Sequence, residues 1–303
     1  MKTMVGRKRK INGRTVFYVC MAAWPVIQFV IFYLCVNFNS ILLAFKKFEY
    51  GKGYSFAGMD NFTQVIKDLR DLPYMKIAIK NTFQIFGIGI IVMFIPMILS
   101  YYLYKKYPLS GVFKVMLFLP SIVPSMALTI CFRNFADLGI PELWKELFGK
   151  KLPPLLYTLE TQWETVLVYN IFFSIGANFL LYTGAMSGIS ESVIEAAQLD
   201  GVKPIQEFTK IVFPMIFPTF STFLVTSFAG LFTNQANIFS FFATEAEYQS
   251  YTLGYYLYRE ALGDGAIGRY PYLSALGLLC TCVAIPLCFG TKYLLNKFGP
   301  KVD

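Results

Sequence analysis

Apolar residues run in long, nearly unbroken blocks separated by shorter polar stretches. The blocks cover residues 16–45, 77–104, 112–132, 165–187, 217–243 and 272–295. Each approaches or exceeds the roughly 20 residues a helix needs to cross a hydrocarbon layer of about 30 Å. No water reaches the backbone there, so a helix, which bonds its own N–H and C=O groups, is the structure expected of such a block. The pattern predicts an all-α polytopic membrane protein with six transmembrane helices. Pro25 predicts a kink in the first block. Pro96 lies in the second, and Pro120 and Pro124 lie in the third. Spans tolerate such prolines when neighbouring helices satisfy the freed backbone groups.

The polar stretches give the organisation. Residues 1–15 form a basic tail containing Lys2, Arg7, Lys8, Arg9, Lys10 and Arg14, and residues 16–303 form the six-span domain. The block at 16–45 is too long for a signal-peptide core and has no small-x-small cleavage site, so it is read as a retained span. Residues 46–76, 133–164 and 244–271 are expected outside, with Trp144 and Trp163 at the membrane interface. The basic turn 105–108, the loop 188–214 and the end carrying Lys297 and Lys301 are expected inside. Lys and Arg divide almost evenly between the two sides. The orientation, with both termini in the cytoplasm, therefore rests on the dense N-terminal cluster and the short basic turns.

Composition narrows the function. Of 303 residues, 56% are hydrophobic and 15% charged, whereas a soluble domain carries about 25% charged residues. The net charge of +9 is then a question of where cations sit along a membrane, and nucleic-acid binding does not follow from it. Cys20, Cys35, Cys131, Cys280, Cys282 and Cys288 all lie in apolar blocks and read as small hydrophobes. Cys280 and Cys282 lack the two-residue gap of common zinc sites, and no metal is expected. There is no histidine, and the span interiors contain no Asp or Glu, which disfavours proton coupling. The chain has no phosphate-binding G-x-x-x-x-G-K-[ST] loop and no nucleophile–base pair, so it does not read as an enzyme. Active transport by this chain would draw its energy from a partner. A sodium-coupled secondary carrier of a polar solute, using backbone carbonyls as ligands, is the alternative left open.

The loop 188–214 has its own grammar. Ser192 followed by Glu195 fits a capping box, predicting a short helix from Val193 to about Asp200. Gly201 suits the left-handed residue after a helix. Pro204 suits the first turn of a second short helix, which Pro214 is expected to end.

These residues also carry a resemblance. Glu195-Ala196-Ala197, then Gly201, then Ile211-Val212-Phe213-Pro214 resembles the EAA loop of permease subunits in binding-protein-dependent ABC importers, with Phe213 where that family has Leu. Further segments resemble its carbohydrate-uptake branch, the maltose and glycerol-phosphate permeases: residues 57–62, Gly176 through Gly188 to Glu195, residues 251–258 and residues 272–277. Thr244-Glu245-Ala246-Glu247 departs from the Gly-Gly-Pro usual there. The resemblance implies a type I importer fold with a cytoplasmic coupling helix in which Glu195, Ala196, Ala197, Asp200 and Gly201 meet an ATPase. Ala196 and Ala197 would permit close approach, and Gly201 would make the turn. It implies a second, different permease subunit, two ABC ATPase subunits that carry the ATP and magnesium, and an extracellular or periplasmic solute-binding protein. It implies a bacterial cytoplasmic membrane and a carbohydrate cargo, an oligosaccharide in this reading, with glycerol phosphate as the nearest variant.

A polyol crossing an apolar cavity needs hydrogen-bonding side chains and stacking faces. The fifth block supplies Asn234, Gln235 and Asn237 beside Phe232, Phe239, Phe241 and Phe242, and the fourth supplies Asn170 and Asn178. The other role open to these amides is hydrogen bonding between helices.

Overall fold

A computed structural model describes residues 13–263 and 265–300; most of the basic tail and Lys301 lie outside them. Helix α1 (Val16–Leu43) contains a π-helical stretch over Phe29–Cys35, and its apolar window buries nothing against the rest of the chain. An antiparallel hairpin, β1 (Lys46–Glu49) and β2 (Gly53–Phe56), follows within the stretch expected to be a loop. Its turn uses Gly51 and Gly53 at φ of 83° and 79°, a region open to glycine. Helix α2 (Asp60–Asp71) is amphipathic and buries Phe62 and Val65. Asn61 Nδ2 donates to the carbonyls of Ala44 and Lys46 at 2.8 and 2.7 Å, tying α2 to the end of α1. Leu72 is extended, as the residue before a proline should be, and Pro73 opens α3 (Pro73–Tyr104).

The third span is not one straight helix. α4 (Ser110–Ile122) stops at Val123, which is extended ahead of Pro124, and α5 (Ser125–Phe148) leaves at 103° to it. The proline excludes helical geometry from the residue before it. α5 runs on past residue 133, so half of the expected 133–164 loop is helical. In α6 (Gln162–Ser187), Gly176 lets the α4 backbone approach: a Cβ there would stand 3.0 Å from the Leu117 carbonyl. Trp163 is 7% exposed and donates to Gln84 Oε1 at 3.0 Å, so it sits in the protein core and not at a lipid interface.

α7 (Glu191–Leu199) is capped by Ser190, with no side-chain bond to its first N–H groups; Ser192 bonds Ser190 instead, and the expected capping box is absent. α8 (Pro204–Ala229) is continuous through Pro214 and Pro218. A π-helical turn over Phe208–Val212, with Phe213 N–H bonded to Phe208 O, widens the helix just before Pro214. The wider turn gives room for a ring that would clash in α geometry. The fifth span is thus shifted towards the loop and ends at Ala229, short of the expected residue 243. Asn234, Gln235 and Asn237 lie in the turn beyond it, ahead of α9 (Ile238–Phe242). α10 (Leu253–Leu262) occupies part of the expected 244–271 loop, and α11 (Ala266–Phe298) begins before residue 272.

Among the described residues five helices are long and apolar enough to cross a membrane, and six spans result when α4 and α5 are counted as one. The buried side chains form two clusters. One includes Met75, Ala78, Leu156, Val166, Tyr169, Ile238, Tyr255 and Leu276. The other, at the end bearing loop 188–214, includes Met97, Tyr182, Met186, Val212 and Ile216. Between them, at mid-height of α3 and α6, the packing opens.

Candidate functional site

Two features stand out: a protruding loop and a polar cavity. The loop begins with α7, whose end is fixed by backbone bonds. Val202 N–H donates to Ala197 O and Gly201 N–H to Gln198 O, both at 3.1 Å, with Gly201 at φ 69°. This paired pattern satisfies carbonyls that a helix end leaves free, and it needs a left-handed residue. Gly201 is therefore the turn residue its position suggests. The expected coupling residues do not share one face. Glu195, Ala196, Asp200 and Gly201 are exposed, while Ala197 is 5% exposed and turns inward with Ile194. Ala197 packs against its own chain and is not presented to a partner.

Beside the charged Glu195 and Asp200 the loop presents two large apolar side chains. Leu199 is 89% and Ile205 78% exposed, on either side of the Gly201 turn. Glu195 borders a groove of about 640 Å³ shared with Lys105, Lys106, Lys114 and Glu191.

The loop is pinned from beneath by a residue the sequence did not single out. Glu207, 2% exposed, lies 3.0 Å from Lys105 Nζ and accepts from Tyr101 Oη at 3.1 Å. The same hydroxyl reaches Pro204 O at 3.1 Å.

The cavity, about 350 Å³, is lined by Ile85, Phe86, Gly89, Val92 and Met93 of α3, Ser174 and Asn178 of α6, Ser227 of α8, and Gly230, Leu231, Thr233 and Asn234 beyond it. A side chamber of about 110 Å³ adds Asn170. The structure thus brings Asn170, Asn178 and Asn234 to one space. Gln235 and Asn237 line neither chamber. Asn237 Nδ2 donates to Asn170 Oδ1 at 2.9 Å, and Asn170 Nδ2 donates to Ala236 O at 2.9 Å. For this pair hydrogen bonding between segments is the observed role. Asn234 Oδ1 accepts from Ala236 N–H at 2.8 Å.

The turn with Asn234 rests on the stretch 248–256. Asn81 Nδ2 donates to Gln249 O and Tyr251 O, Leu253 N–H donates to Thr82 Oγ1, and Thr252 Oγ1 donates to Asn234 O. Gly254 meets the turn directly: a Cβ there would stand 2.6 Å from the Thr233 carbonyl carbon. Among the described residues, no group of three or more His, Cys, Asp or Glu side chains gathers as a metal site would require.

Comparison with known proteins follows this geometry. Residues 87–303 match the family described as "Binding-protein-dependent transport system inner membrane component". The chain is 29% identical over 184 residues to the maltose/maltodextrin transport system permease protein MalF of Photorhabdus laumondii, covering 58% of this chain and 35% of that one. It is 26% identical over 215 residues to the sn-glycerol-3-phosphate transport system permease protein UgpA of Pectobacterium atrosepticum, covering 70% and 71%. The match therefore spans about a third of MalF but most of UgpA. Its fold is similar to a chain of a bacterial alginate ABC transporter solved in complex with an alginate pentasaccharide-bound periplasmic protein. The TM-score is 0.78 at 20% identity, over 94% of this chain and 96% of that one.

Proposed function

The chain belongs to the family of binding-protein-dependent transport system inner membrane components, and we propose that it is the permease subunit of an ATP-driven ABC importer for a carbohydrate. The observation that carries this reading is the tip of loop 188–214, where Leu199 and Ile205 stand exposed on either side of the hydrogen-bonded turn at Gly201. Leu199 lies just before the turn and Ile205 at the start of α8, and exposed apolar side chains gathered at one such place fit a protein contact. The contact proposed is a separate cytosolic ATPase, which would hold the ATP and magnesium and place this loop and both termini in the cytoplasm. Two such ATPases, a second, different permease and an external solute-binding protein complete the importer. Closure of the ATPases would push α7, and through the continuous α8 move the rim of the cavity.

The cavity supports a neutral polyol as cargo. Amides and hydroxyls converge there among apolar walls, as in sites for uncharged polar ligands. Its lining contains no Lys or Arg, which suits a sugar better than the phosphate ester that UgpA's name describes. An oligosaccharide is the finer reading, supported by the maltodextrin permease among the relatives. Asn178 and Asn234 are the side chains we assign to the solute path. The family match gives the sodium-coupled carrier no support.

The test is a mild-detergent pull-down of tagged chain from its native membrane, followed by mass spectrometry and an ATPase assay with candidate sugars. An ATPase and a second permease should be recovered, with sugar-stimulated hydrolysis. A lone chain, under conditions that keep other membrane complexes intact, would sink the importer reading.

A further inference from the structure

Loop 188–214 is joined covalently to α6 and α8, but the structure gives it a third attachment, to the end of α3. Glu207 and Lys105 have side chains 3% and 15% exposed, and their charged atoms lie 3.0 Å apart. Tyr101 completes the joint through its hydroxyl, and its ring packs against Phe208 with centroids 5.0 Å apart. A buried ion pair recovers little net stability, because both charges lose their water, whereas removing one partner leaves the other stranded. The use left for such a pair is to fix geometry, and here it fixes one geometry between two elements that the chain does not connect directly.

The place of the joint gives that geometry a purpose. At the end of α3, Tyr101 and the following Lys105 lie beyond Gly89 and Val92, which line the cavity. On the other side, Glu207 sits immediately before the π-helical turn Phe208–Val212, and such wide turns are frequent at functional positions in helices. A push on α7 therefore has two routes to the cavity: along α8, through the wide turn, and across Glu207 into α3, whose backbone is α-helical between the joint and the cavity except at Met93.

We propose that Glu207 is a positioning residue for transport: its bond to Lys105 and Tyr101 carries movement of the loop into α3 and so opens and closes the α3 wall of the cavity. The inference rests on the reading of the loop as the ATPase contact.

The experiment uses the assembled complex in nanodiscs, with the native cysteines replaced and Gly89→Cys as a reporter. A Cβ at Gly89 meets nothing within 4 Å, so the reporter fits. Labelling by a membrane-impermeant maleimide is compared with and without ATP and orthovanadate, and ATPase retention is measured on the same samples. In the otherwise native complex, trapping should change the labelling rate about tenfold, and Glu207→Gln or Lys105→Met should cut that change at least about fivefold, the scale of an ordinary coupling energy. ATPase should remain bound. The exchange Lys105→Glu with Glu207→Lys should restore the change. Should the single charge variants fail to assemble, Tyr101→Phe, which keeps the ring, should still reduce the change about twofold, the loss of one modest hydrogen bond. A native change in both Glu207→Gln and Tyr101→Phe would overturn the proposal while leaving the loop reading intact. Absence of ATPase from the reporter complex without these substitutions would instead overturn the loop reading itself.

Discussion

Asn237 Nδ2 donates to Asn170 Oδ1 at 2.9 Å, fastening the turn beyond α8 to α6. Asn237 holds φ 56°, and Ala236 beside it φ 50°. Left-handed backbone of this kind costs about 1–2 kcal/mol in a non-glycine residue, so the turn needs such fastening. Asn170→Leu and Asn237→Leu should each lower the stability of the purified complex by about 1–3 kcal/mol, the cost of stranding a buried polar partner. The readout is thermal unfolding in detergent. An unchanged midpoint in both variants would show that the bond carries no stability.

Asn178 lines the cavity, and among the described residues its side chain makes no hydrogen bond. Asn178→Leu should therefore leave unfolding and ATPase recovery unchanged while sugar uptake falls about tenfold, since one lost hydrogen bond to a buried polar ligand is worth about 1–1.5 kcal/mol. Native uptake by this variant removes Asn178 from the solute path.

Gly201 stands at φ 69° with open space around it. Gly201→Asp should disrupt the ATPase contact without blocking membrane insertion, because it strains the left-handed turn and adds a second carboxylate beside Asp200 between Leu199 and Ile205. Gly201→Ala isolates the backbone part, expected at about 1 kcal/mol. Co-purification of ATPase with Gly201→Asp at native yield, together with native uptake, would count heavily against the coupling role.

Leu199 and Ile205 touch little of their own chain. Replacing either with Asp should leave the fold intact and weaken ATPase binding by about 2 kcal/mol or more, as for a central apolar residue of an interface. A titration of ATPase onto the reconstituted permease pair measures it. Equal affinity for both variants would place the contact elsewhere.

Gly254→Ala would force a methyl group to within 2.7 Å of Asn234 O and Thr233 O. Overpacking of this kind costs about 1–3 kcal/mol. Because the backbone displaced is the turn holding Asn234, uptake should fall together with the unfolding midpoint. A drop in neither would mean that the turn yields freely.

Within loop 188–214 the turn at Gly201 and the helix start at Pro204 were legible because their signals are local: a glycine at a left-handed position and a proline at a first turn act through the backbone of their neighbours. The six apolar blocks were legible for a similar reason, since transfer from water depends on composition over about 20 residues. The end of α8 was not. Phe239, Phe241 and Phe242 make the region past Ala229 as apolar as a span, and hydropathy records transfer without direction, so the turn at Gly230 was hidden. Continuity through Pro214 was hidden too, because a wide helical turn leaves no mark in the sequence that would distinguish it from a break. Glu207 was missed on different grounds. Its partner lies 102 residues away, and a single carboxylate near a span end carries no sign of the lysine it will meet.

The elbow between α4 and α5 has a consequence for the circumference of the protein. α4 has 13 residues, about 20 Å of helix, too short to cross the hydrocarbon by itself. With α4 starting at one membrane face, the extended Val123 and the helix ends on either side of it would lie where acyl chains leave peptide groups without hydrogen-bond partners. Val123 is 37% and Ile122 64% exposed in the isolated chain. At such a depth the free peptide groups of the elbow would have to be met by protein or by water, since lipid offers them no hydrogen bond.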